Sequence, residues 1–123
     1  MVLIVESDLN LSRRLRELIE PLGVPVQIVA DGLEALRWLR RSRPRLILVD
    51  QAAPWVDGFR ICRLTKFHKK TQEIPVLILT AVMDQDHLRL TQEVRADGYL
   101  EKKDLQPVVE KVRQILTPLR PNP

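Results

Sequence analysis

Leu46-Ile47-Leu48-Val49-Asp50 is the stretch that decides the fold. Its four aliphatic residues show no alternation with polar ones, so a strand built from them is apolar on both faces and must be covered on both sides, as in a parallel sheet. The run stops on a carboxylate. Working outward, Val2-Leu3-Ile4-Val5 upstream and Pro75 to Leu79 downstream have the same character, and shorter runs stand at Val26-Gln27-Ile28-Val29 and Tyr99-Leu100. Helical periodicity fills the gaps between them. Strands alternating with helices predict an α/β domain: a five-stranded parallel sheet with helices on both faces and right-handed crossovers.

The helical patterns are specific enough to assign faces. Leu11, Leu15, Leu18, Ile19 and Leu22 share one face of the first, with Asn10 or Asp8 as its cap and Pro21 and Gly23 as its end. Asp31-Gly32 marks a turn, after which Leu33, Leu36, Leu39 and the ring of Trp38 predict a second helix with an arginine-rich outer face. A third is expected from Phe59 to Lys69, a weaker fourth from Asp86 to Val94, and a fifth from Leu105 to Leu116 with Val108, Val109, Val112, Ile115 and Leu116 inward. The domain is expected to occupy 1–117. Residues 118–123, rich in proline and without core pattern, read as a tail or the start of a linker.

Bulk properties narrow the classes. The chain has 123 residues, 45% of them hydrophobic, enough for one cored domain and too apolar for a disordered chain. Aromatics are 4%, so the core is aliphatic. A net charge of +4 allows acidic partners without specifying one. The lone Cys62 rules out an internal disulfide and fits a reducing compartment. No signal peptide is expected ahead of Val2, nor any apolar run near the ~20 residues that span a bilayer. The expected location is the cytoplasm, without membrane contact.

In an open sheet of this kind the site lies beyond the carboxyl ends of the strands. Those ends carry Glu6-Ser7-Asp8, Asp50, Thr80-Ala81 and Glu101-Lys102-Lys103. Clustered carboxylates repel one another and call for a cation; Mg²⁺ takes one or two carboxylates plus waters and phosphate oxygens, which suits Glu6 and Asp50. An aspartate can act as a nucleophile toward phosphorus, a lysine can balance the charge of the transferred group, and a threonine hydroxyl can donate to it.

These stretches together resemble the receiver domain of bacterial two-component response regulators, over essentially the whole chain. The likeness rests on Val5-Glu6-Ser7-Asp8, Ala30-Asp31-Gly32-Leu33-Glu34-Ala35-Leu36, Leu46 to Asp50, Pro54 with Asp57-Gly58-Phe59, Ile74-Pro75-Val76, Leu79-Thr80-Ala81 and Tyr99-Leu100-Glu101-Lys102. Spacing contributes: Thr80 follows Asp50 by 30 positions and Lys102 follows Thr80 by 22. The resemblance implies the flavodoxin-like receiver fold with strand order 2-1-3-4-5. It implies Asp50 as phosphoacceptor, Thr80 and Lys102 as its chemical partners, and Thr80 with Tyr99 as the switch pair. It also implies Mg²⁺ held by Glu6, Asp50 and the Ala52 carbonyl, with Asp8 as a further candidate ligand. The implied donor is a sensor histidine kinase or phosphotransfer protein. The implied output is a downstream effector domain or protein, with a homodimer through the last helix–strand–helix face as one form of it. Such a module is a switch and not an enzyme.

Three positions depart from the family pattern. Ser7 stands where a second acid normally contacts the metal. Lys103 replaces the proline after the lysine, so a cis peptide is not expected there. Arg95 replaces a helix-end glycine with a residue that resists positive φ. Ser7 supports a competing reading, a degenerate receiver acting as a phosphorylation-independent interaction module. A flavin-binding protein of the same architecture would need a Ser/Thr/Gly-rich loop after the first strand, which is missing. Direct nucleic-acid binding through the arginine-rich helices has no recognition motif to support it. His68 and His87 read as surface residues. Trp55, in the loop after Asp50, is placed at the pocket mouth or on a partner surface.

Overall fold

The computed structural model describes residues 1–117; the expected tail, 118–123, lies outside them. Strands and α-helices alternate: β1 (Val2–Val5), α1 (Leu9–Ile19), β2 (Val26–Val29), α2 (Gly32–Arg41), β3 (Leu46–Asp50), α3 (Gly58–Lys66), β4 (Val76–Thr80), α4 (Gln85–Glu93), β5 (Gly98–Glu101) and α5 (Gln106–Leu116), with a 3₁₀ turn at Glu20–Leu22 following α1. All strand pairings are parallel, and the order is β2-β1-β3-β4-β5. The fold class and strand order are those expected. Among the described residues no helix is long and apolar enough to cross a membrane.

The pleat sorts the aliphatic runs into two cores. Leu3, Val5, Ile47, Val49, Val76 and Ile78 face α2, α3 and α4, where they meet Ala35, Leu39, Ile61, Cys62 and Val94. Val2, Ile4, Leu46, Leu48, Leu77 and Leu79 face α1 and α5 and meet Leu15, Ile19, Val108 and Val112. β1, β3 and β4 are buried along their whole length. Each large aliphatic side chain fully buried in this way contributes about 1.5–3 kcal/mol.

Caps fix where the helices begin, and so which faces turn inward. Asp8, Asp31, Asp57 and Asp84 each accept backbone N–H groups at the start of α1, α2, α3 and α4. One expected inward residue is corrected. With α2 starting at Gly32, the buried face runs through Gly32, Ala35 and Leu39, and Leu33, one residue or about 100° out of phase, is 44% exposed. Helix α3 also ends at Lys66, short of the expected Lys69. The hydroxyl of Thr71 donates to the Thr65 carbonyl at 2.8 Å, taking the acceptor that a further helical turn would have used.

Arg95 is a second departure from expectation. Helix α4 closes with the Ala96 N–H donating to the Thr91 carbonyl at 2.9 Å and the Arg95 N–H to the Gln92 carbonyl at 3.1 Å, a Schellman closure. The closure needs a left-handed residue, and Arg95 supplies it at φ 61°. For a non-glycine residue this costs about 1–2 kcal/mol. Among the described residues there is no cis peptide bond, so Lys103 follows Lys102 in trans as expected.

Cys62 lies at the centre of the α3 interface, fully buried, its Sγ donating to the Val94 carbonyl at 3.3 Å. Burial pushes its thiol up to about 12, with the Lys66 charge opposing and the Asp97 charge reinforcing that rise. Because the thiolate is the reactive form, iodoacetamide at neutral pH should leave the folded chain unmodified and label Cys62 once urea unfolds it. Labelling of the native protein at the unfolded rate would contradict this placement.

Candidate functional site

Parallel register brings the strand ends together. Val5 is paired with Val49, Asp50 with Leu79, and Thr80 with Glu101, so the residues one step beyond these pairs converge on one edge. The ladder continues past the strands: the Glu6 N–H donates to Val29 at 3.0 Å, Gln51 to Leu79 at 2.7 Å and Lys102 to Thr80 at 2.8 Å. Glycine at 58 lets α3 begin tight beneath this edge, for a Cβ there would lie 2.7 Å from the Asp50 carbonyl oxygen.

The pleat then divides the expected site residues into two groups. Glu6, Asp50 and Lys102 follow Ile4, Leu48 and Leu100 in phase, so they emerge on the α1/α5 side. There the Lys102 ammonium lies 2.7 Å from Glu6 Oε1 and 3.0 Å from Asp50 Oδ1. Both carboxylates are buried, Glu6 at 2% and Asp50 at 8% exposure. Asp50 Oδ1 also accepts the Ala52 N–H at 3.1 Å, and Glu6 Oε2 accepts the Asp8 N–H at 3.1 Å. Glu6 Oε1 has no regular hydrogen bond beyond its ion pair. Burial pulls the Lys102 ammonium downward, but its hydrogen bonds to Glu6 and Asp50 and their charges outweigh this, leaving it above the ordinary lysine value. The lysine therefore stays charged and clamps two carboxylates that would otherwise repel.

Asp8 does not join this cluster. Its carboxylate accepts the Asn10 N–H at 2.9 Å and the Leu11 N–H at 3.3 Å, capping α1. Ser7 is exposed. Among the described residues no group of three or more His, Cys, Asp or Glu is arranged to hold a metal. The acids brought together are thus two, Glu6 and Asp50, a number within the one or two carboxylates that Mg²⁺ commonly takes, and a cation entering here would share them with the Lys102 ammonium.

Thr80 and Tyr99 emerge on the other side, with α3 and α4. The Thr80 hydroxyl donates to the Val82 carbonyl at 2.9 Å and accepts the Val82 N–H at 3.3 Å, which folds the β4–α4 loop over it. The Tyr99 hydroxyl donates to Gln51 Oε1 at 2.6 Å, and Gln51 Nε2 pairs with His87 Nδ1 at 3.0 Å. His87 in turn packs against Phe59, with ring centroids 5.5 Å apart. His87, with 42% of its side chain exposed, is the surface residue expected but with these partners, and His68 is exposed as expected. Gln51 is the residue the sequence reading missed. The signal was available: a residue directly after Asp50 must point to the face opposite Asp50, and Tyr99 lies on that face. Trp55 is 85% exposed at the crest of the β3–α3 loop with φ 70°.

A 2-1-3-4-5 parallel sheet with an acid–lysine–acid cluster at its carboxyl edge defines a doubly wound domain with an edge site. Comparison with known proteins names the family. The response regulator receiver domain profile matches residues 2–113, and the chain belongs to that family, the receiver domains of two-component response regulators. The chain is 33% identical over 117 residues to the DNA-binding dual master transcriptional regulator RpaA of Synechocystis, covering 94% of this chain and 48% of that protein. It is 29% identical to the response regulator MprA of Mycobacterium leprae, covering 98% and 53%. The chain therefore spans about half the length of these relatives. Among solved structures, the signal receiver domain of a signal transduction histidine kinase from Syntrophus aciditrophicus superposes with a TM-score of 0.81 at 29% identity, covering 97% of this chain and 93% of that one. The receiver domain of a sensor histidine kinase from Pseudomonas aeruginosa, solved with magnesium coordinated in its active-site cleft, gives 0.81 at 26% identity, covering 94% and 97%.

Proposed function

We propose that this receiver domain is switched by phosphoryl transfer to Asp50 from a phosphohistidine of a sensor kinase or phosphotransfer protein. The observation that carries the proposal is the Asp50 carboxylate itself, at the end of β3, held by the Lys102 ammonium at 3.0 Å and the Ala52 N–H at 3.1 Å. A carboxylate oxygen attacks phosphorus as the P–N bond breaks, and the histidine leaves as neutral imidazole after taking up a proton. Lys102, released from part of its pairing with Asp50, turns to the incoming oxygens. Glu6, Asp50 and the Ala52 carbonyl are the groups that would hold Mg²⁺, which supplies charge neutralisation of those oxygens. The domain is the acceptor of the group, consumed stoichiometrically, and not an enzyme acting on a separate substrate.

The response follows from the second side chain group. The Thr80 hydroxyl, now bonded to Val82, gives up that contact to donate to the phosphoryl group, and Tyr99 exchanges its Gln51 bond as the β4–α4 loop follows. The readout is the α4–β5–α5 face, through an effector or a second copy of the domain, in the cytoplasm. A DNA-binding relative of about twice the length, RpaA, supports a downstream effector of that kind.

The test is incubation with acetyl phosphate and excess Mg²⁺ followed by peptide mapping. The expected adduct is on Asp50 and is absent from Asp50→Asn. Label elsewhere, or none at saturating Mg²⁺, would return the chain to the phosphorylation-independent reading.

A further inference from the structure

The α3–α4 surface carries a feature that the phosphorylation site does not use. Phe67, just past α3, is 53% exposed, and two guanidinium groups lie over its ring, that of Arg95 at 4.6 Å and that of Arg63 at 5.9 Å. Arg95 reaches that position from the left-handed residue that closes α4, where a glycine would sit without strain. Beside the stack lies a groove of about 430 Å³ between α3 and α4. Its lining is mostly apolar, from Phe59, Leu64, Leu90 and Val94, and includes Arg60 and Arg63. The groove's one acid, Asp57, is turned to the α3 amides, accepting the Arg60 N–H at 2.9 Å. Nearby, Lys66 is neutralised by Asp97 at 2.6 Å, yet among the described residues Arg60, Arg63 and Arg95 have no carboxylate partner.

Cations without counter-ions beside an apolar lining are complementary to one kind of ligand. We propose that the α3–α4 groove docks an acidic protein segment whose aliphatic or aromatic anchor packs on that lining while its carboxylates pair with Arg60, Arg63 and Arg95. Guanidinium groups are suited to this because they bind carboxylates bidentately while stacking on an aromatic ring. The stack on Phe67 holds the Arg95 and Arg63 side chains in place before the partner arrives, which lowers the ordering cost of binding.

The probe is a fluorescein-labelled peptide alternating glutamate with leucine and phenylalanine, used with a control of equal charge in which serine replaces the apolar residues. Binding is followed by fluorescence anisotropy and mapped by amide chemical shifts. The expected result is stronger binding of the apolar peptide, with shifts centred on residues 59–67 and 90–95. Arg63→Glu should weaken it roughly tenfold, as reversing an interfacial charge does. Arg95→Gly should weaken it too, and because this variant removes backbone strain, a loss of binding there is not a loss of fold. Unchanged affinity in both variants, equal binding of the serine control, or shifts centred on the arginines of α1 and α2 would each overturn the proposal. So would tighter binding of a single-stranded oligonucleotide of equal charge to the same groove, which would make the surface a nucleic-acid site.

Discussion

Lys102→Met is expected to slow phosphoryl transfer to Asp50 by roughly a hundredfold and to lower stability by about 2 kcal/mol in metal-free buffer. The two effects share one cause. The ammonium sits 2.7 Å from Glu6 and 3.0 Å from Asp50, and both acids are almost wholly buried. Methionine keeps the length and apolar stem of the side chain but leaves two neighbouring carboxylates without their cation. Breaking a fully buried ion pair costs about 3–5 kcal/mol. Here the figure is smaller because the Lys102 side chain retains 19% exposure and water reaches part of the cluster. For the rate, the lost group is a charged donor placed where the transferred oxygens develop charge, a contribution typically worth about 10²–10³. Urea unfolding in the presence of a chelator reads the first effect, and the initial rate of acetyl phosphate labelling reads the second. A variant as stable as the parent would mean that the ammonium does not hold the cluster together. A variant labelled at the parent rate would remove Lys102 from the chemistry.

That cluster was legible in the sequence because its determinants are local. A continuous aliphatic run ending in Asp50 fixes a buried strand and the edge where it ends, and the same logic places Glu6 and Lys102. Parallel pairing then leaves little freedom, since Val5 beside Val49 and Thr80 beside Glu101 put all three residues on one rim. What escaped depends on geometry that a motif does not encode. Asp8 has the charge of a metal ligand, but two free N–H groups of α1 lie within 3.3 Å and claim its carboxylate. His87 has no partner in the linear pattern, and gains one only when α4 packs over the residue after Asp50. Leu33 was misplaced because a helical face depends on the starting residue, and the cap at Asp31 sets it. Arg95 shows the opposite failure. The local rule against positive φ is sound, but the helix closure together with the stack on Phe67 overrides it.

Ser7→Asp is expected to tighten Mg²⁺ binding about tenfold, or roughly 1.4 kcal/mol. The parent offers two carboxylates, and both are already engaged by Lys102, so a cation must share them with an ammonium. Mg²⁺ gives up water reluctantly and gains most from an added anionic ligand. Position 7 directly follows Glu6 and is exposed, so a carboxylate there can reach outward to a metal without being buried itself. It would also return net negative charge to a site where one lysine now balances much of it. Trp55, 85% exposed and three residues beyond Ala52, is placed to report a titration by fluorescence, and Trp38 on α2 supplies a steadier background. Asp8→Ala separates this reading from its rival. With the Asp8 carboxylate on the α1 amides, the substitution should leave Mg²⁺ affinity unchanged and cost stability of about 1 kcal/mol, the usual loss for an N-cap. If Asp8→Ala instead abolishes binding and Ser7→Asp does nothing, Asp8 leaves its cap to serve as the second acid, and the parent pocket is complete as it stands.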